Sequence, residues 1–108
     1  MSIETRRKLQ DVLGILHRTC EQRRGTTTVL ASDENSFVVD VSLPESMLMI
    51  GMGTGATAET EARIKLNINH VYPDTDVTVI DRRHLPEAQQ YHTYLRVRLP
   101  EYGDYNEL

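Results

Sequence analysis

The side chains with the most chemical reach in this 108-residue sequence lie near its C-terminus: Arg82, Arg83 and His84, then His92, Tyr94, Arg96 and Arg98. The last four alternate, and alternate residues of an extended strand share a face. One row would then present an imidazole, a phenol and two guanidiniums, groups able to stack on bases and neutralise phosphates of a single nucleic-acid strand. A plainer reading stands beside it. Outward residues of any half-exposed strand are polar, and Asp40 or a nearby Glu could pair with the arginines. Catalytic sets are harder to find. The histidines at 17, 70, 84 and 92 lack the four-residue helical spacing of a metal pair, and Cys20 is the one cysteine, so thiolate zinc sites are excluded. There is no Gly-x-Ser-x-Gly elbow, and Gly55 is not followed by the Lys-Ser or Lys-Thr of a phosphate loop. His84 near Asp81 is an acid/base pair by sequence proximity alone.

A second constellation centres on glycine. Met47 to Met52 reads as a short buried strand that runs into Gly51, Gly53 and Gly55, then a helix, then a strand ending at Asp81. In a nucleotide-binding βαβ unit such glycines permit a tight turn and a close ligand approach, while the terminal acid accepts ribose hydroxyls. The letters MLMIGMGTGATAE followed by VTVID resemble the first cofactor-binding motif of class I S-adenosylmethionine-dependent methyltransferases, matching at Gly51, Gly53, Gly55 and Asp81. The resemblance implies a nucleoside-type ligand at those four residues. It departs from the family at Met49, where an acid is usual, and the residues after Asp81 are too few for the family's remaining strands and helices. The alternative is a turn between strand and helix with no ligand, and no cofactor is assigned.

The elements that must position these groups follow from hydrophobic spacing. Leu9, Val12, Leu13, Leu16 and Cys20 recur at three- and four-residue steps, which predicts a helix over 3–24, capped by Ser2 and stopped at Gly25. Cys20 falls on its buried face and reads as a small apolar residue. Arg6, Arg7, Lys8, Arg18 and Arg23 lie largely off that stripe, as a solvated face or a site for an acidic partner. Thr26 to Ser32 and Phe37 to Leu43 are rich in β-branched residues and flank the turn-forming Asp33-Glu34-Asn35-Ser36, so they predict a hairpin. Ala56 to Tyr72 is read as a helix, although Ile64, Leu66 and Ile68 also alternate as a strand would. Asp76 to Asp81 is a strand, Arg82 to Gln90 a loop or single helical turn, and Tyr91 to Leu99 an alternating strand closed by Pro100. No internal repeat is evident.

The resulting order is α-β-β-β-α-β-β. Its expected fold is α+β, a two-layer sandwich of two helices against one four- or five-stranded sheet, with one sheet face left open. Residues 1–100 form the expected domain and 101–108 a loose acidic tail. With 39% apolar and 26% charged residues, the composition is globular rather than disordered or membrane-like. The lone cysteine and the absence of a leader-like N-terminus point to the cytoplasm. Net charge is −4, divided between a basic segment up to Gly25 (six Lys/Arg, three Asp/Glu) and an acidic remainder. An acidic whole argues against broad nucleic-acid binding, which needs several phosphates neutralised at once. The expectation is a small non-enzymatic protein of accessory or inhibitor type, such as phages and mobile elements encode. It would bind another protein and form a homodimer, using Arg6, Arg7, Arg18, His92, Tyr94, Arg96 and Arg98. A nucleic-acid module using the first helix and last strand, and a small-molecule binder using the glycines and Asp81, are the alternatives.

Overall fold

Val12, Leu16 and Cys20 are completely buried along one side of the first helix, α1 (Ile3–Glu21), as their spacing requires. The computed structural model describes residues 3–44 and 54–100; Ser2, the expected Met47–Met52 strand and the 101–108 tail lie outside them. After α1 come β1 (Thr26–Ser32), β2 (Ser36–Pro44), α2 (Thr54–Val71), β3 (Asp76–Leu85) and β4 (Gln90–Arg98). The fold is α+β, two helices on one face of an antiparallel sheet of order β1-β2-β4-β3.

The stop after α1 differs in detail from expectation. Arg24, not Gly25, takes the left-handed conformation (φ 58°). The Gly25 amide donates to the Cys20 carbonyl (2.8 Å) and the Arg24 amide to that of Glu21 (3.0 Å), which satisfies two orphan carbonyls of the helix end. Gly25 serves close approach instead: a Cβ there would sit 2.8 Å from Leu43 Cδ2 and 2.9 Å from the Ser42 carbonyl oxygen.

In α2 the helix reading holds. Ile64 and Ile68 are fully buried while Leu66, which a strand would place beside them, is 65% exposed. The helices run antiparallel, tied by Arg23 Nη2 to Glu59 Oε1 (2.7 Å), Asn67 Nδ2 to Thr19 Oγ1 (3.0 Å) and Tyr72 OH to Asp11 Oδ2 (2.6 Å). Beneath them Phe37, Val39, Val41 and Leu43 of β2 meet Leu95, Val97 and Leu99 to complete the core. Arg82 to Leu85, expected as loop, continues β3, because Gln90 to Thr93 of β4 supplies a ladder for its backbone groups. The turn is confined to Pro86–Gln89, with Gln89 at φ 55°.

No repeat is evident in the sequence, yet the described elements follow an αββ order twice over. The order β1-β2-β4-β3 with antiparallel neighbours reads the same from either edge, so a twofold rotation perpendicular to the sheet exchanges the halves. Each hairpin slips register at an equivalent place, between Val29 and Ala31 and between Val79 and Asp81. The residues skipped there, Leu30 and Ile80, are 53% and 52% exposed. The inner strands end alike, in Val41-Ser42-Leu43-Pro44 and Val97-Arg98-Leu99-Pro100.

Candidate interaction surface

Paired residues of an antiparallel sheet share a face, so the register places every outward side chain. On the face away from the helices, β4 presents Gln90, His92, Tyr94, Arg96 and Arg98. On one side stand Ser42, Asp40, Val38 and Ser36 of β2; on the other stand Arg83, Asp81, Thr78 and Asp76 of β3. None of the described helices covers this face.

His92 is held firmly. Its Nδ1 lies 2.8 and 3.0 Å from the Asp40 carboxylate oxygens and its Nε2 3.1 Å from Gln90 Oε1, which fixes the ring's orientation. Its ring centroid is 6.3 Å from that of Tyr94. From the other side the Arg83 guanidinium stands 5.6 Å from the Tyr94 centroid while donating to Asp81 Oδ2 at 3.1 Å. The Arg83 hydrogen bond, and then the Arg82 amide at 2.9 Å, hold the Asp81 carboxyl below the usual carboxylate range. Arg96 and Arg98 are exposed, and among the described residues their guanidiniums are in no hydrogen bond or ion pair. The face thus has a braced aromatic centre and two extended cationic arms at one end.

The structure brings His92, Tyr94, Arg96 and Arg98 together as the alternation implies, and it divides the Arg82-Arg83-His84 run. Only Arg83 joins the open face. Arg82 and His84 pair with Thr93 and Tyr91 on the helix side. There Arg82 forms a two-pronged ion pair with Glu61 (2.8 and 2.7 Å), which raises the arginine's pKa further, and His84 stacks on Tyr91 at 4.2 Å. Thr57 and Ala58 of α2 border a cavity of about 440 Å³ at this end of the hairpin. Asp40, a candidate partner for the arginines by sequence, engages His92. That grouping was hidden because its members come from three strands.

Arg6, Arg7 and Arg18 are exposed on α1, in the layer opposite the β4 row, so the cationic groups expected to act with it are on different sides of the molecule. Gly51 and Gly53 lie outside the described residues, and Gly55 is in the first turn of α2. Asp81 is on the open face, with the sheet between it and α2, and the described strand pairs are all antiparallel rather than the parallel pair of a βαβ unit. No described helix is long and apolar enough to cross a membrane. Fold and face together define a two-layer α+β architecture in which no described helix covers the outward face of the sheet. Comparison with protein family models, curated proteins and solved structures finds no match to the chain.

Proposed function

We propose that this is a non-enzymatic binding module that engages another protein through the open face of its sheet, with Tyr94 as the anchor and Arg96 and Arg98 meeting acidic groups of the partner. The observation that carries the reading is the β4 row itself: an aromatic ring braced between His92 and Arg83, next to two exposed arginines unengaged among the described residues. Tyr and Arg are the residue types that dominate binding energy at protein interfaces, and a preoriented ring loses little side-chain entropy on docking.

A protein partner is favoured over a nucleic acid by charge and by stacking area. Asp40, Asp76 and Asp81 share the face and would repel a phosphate backbone. Tyr94 is the one aromatic in the β4 row besides the His92 ring, and Arg83 stands against it, which leaves little platform for successive bases. The test is affinity capture from the source cells with the wild-type chain and with an Arg96→Glu/Arg98→Glu double variant, alongside titration with a fluorescent oligonucleotide. A protein held by the wild type and released by the double variant supports the reading. Identical captures, or salt-steep oligonucleotide binding that vanishes in the double variant, would transfer the face to another role.

A further inference from the structure

We propose that a second copy of this chain joins it through β1, edge to edge and antiparallel, so that two four-stranded sheets become one and the two α1 helices pack over the new seam. The open face takes no part.

The two edges of the sheet are built differently. β3 is guarded along its length by Asp76, Asp81, Arg82, Arg83 and His84. β1, of sequence TTTVLAS, has no charged residue and no proline, and all but one of its residues are exposed. Unpaired strand edges recruit other strands unless charge, proline, a bulge or a covering element prevents it, and among the described residues β1 has only the bulge at Leu30, which leaves Thr26 to Val29 as a regular edge. Its apolar members face outward to an unusual degree: Val29 is 45% exposed and Leu30 53%.

The helix above this edge fits a copy of itself. Gln10, Leu13, Gly14 and His17 of α1 join Thr27 and Val29 of β1 in a groove of about 350 Å³. Arg6, Gln10, Leu13, His17 and Glu21 recur at three- and four-residue steps, which puts them on that one flank of α1. Arg6 and Glu21 are equidistant in sequence from Leu13 and Gly14. An antiparallel α1 pair crossing there sets Arg6 of each copy beside Glu21 of the other, and the Glu21 carboxylate is already oriented by its contact with the His17 ring. Gly14 adds no side chain of its own at the crossing, where the exposed Arg18 guanidinium lies 3.3 Å from the place a Cβ would take.

The spacing works as well. Paired strands lie about 4.8 Å apart, and helices that each span two strands then lie about 10 Å apart, the usual packing distance. The molecule already uses this arrangement once, with antiparallel α1 and α2 over the antiparallel β2–β4 seam.

Sedimentation velocity over a range of concentrations tests the proposal, with far-UV circular dichroism checking the fold of each variant. The wild type should sediment at twice the chain mass. Leu30→Lys, at an exposed position, should weaken association by about tenfold or more without altering the spectrum. Arg6→Glu and Glu21→Arg should each weaken the dimer by a few-fold, and the double exchange should restore it. A wild type that stays monomeric throughout would overturn the proposal. So would a dimer indifferent to Leu30→Lys, or one dissociated by Tyr94→Ala instead.

Discussion

Cys20 is fully buried on the inner face of α1, and desolvation pushes its thiol from 9.0 up to about 12. A group that keeps its proton longer when folded than when unfolded stabilises the fold fully below the unfolded value, and loses that contribution as pH rises toward the folded value. Stability to urea should therefore decline between pH 9 and about 12, and Cys20→Ala should flatten that decline. Tyr72, its phenol pushed up first by the hydrogen bond to Asp11, adds a slope of the same sign that the variant retains. The native thiol should also resist a thiol reagent until denaturant is added. An alkaline decline unchanged by Cys20→Ala, or ready labelling of the folded chain, would place this side chain elsewhere. The same crowding governs Gly25. Gly25→Ala should cost about 1–3 kcal/mol in urea unfolding, because the Ser42 carbonyl at 2.9 Å belongs to the backbone and cannot turn aside.

At the scale of elements, what the sequence made legible is the part governed by local periodicity. The stripe from Leu9 to Cys20, the alternation from Phe37 to Leu43 and that from Tyr91 to Leu99 each carry their own element. The β4 row, the heart of the candidate site, was legible for the same reason. What was not legible depends on partners distant in the chain. Arg82 to Leu85 carries charge enough to read as loop, and becomes strand because β4 lies beside it. Asp40 finds His92 across 52 positions of sequence, and no local pattern announces it. Helix ends occupy the middle ground. The glycine after α1 marks the stop, yet the left-handed position is Arg24 at φ 58°. Arg24→Gly should then raise stability by roughly 0.5–1 kcal/mol, read as a higher urea midpoint with unchanged slope. A neutral or lowered midpoint would mean that the Arg24 side chain contributes more than its backbone strain costs.

For the whole molecule, the repeated αββ unit explains both why the fold closes and why its two sheet faces differ. Twofold exchange maps Val39 onto Leu95, Val41 onto Val97 and Leu43 onto Leu99, so the helix-facing positions stay apolar in both halves. The outward positions do not match: Val38, Asp40 and Ser42 correspond to Tyr94, Arg96 and Arg98. Packing constrains only one side of each strand, and the half bearing β4 carries His92, Tyr94, Arg96 and Arg98 on the other. The repeat escaped detection in sequence because apolar character, rather than residue identity, is what the core retains. Neither half buries its own apolar face alone, since the core runs unbroken across the β2–β4 seam. The halves should consequently unfold together. Leu95→Ala at the seam should cost about 2–5 kcal/mol and lower amide-exchange protection in β1 and α1 as much as in β3 and α2. If β3 and α2 opened while β1 and α1 kept their protection, the repeat would be two independent units side by side. Equal loss would make the seam the common foundation of both, with the β4 row carried rigidly above it on the open face.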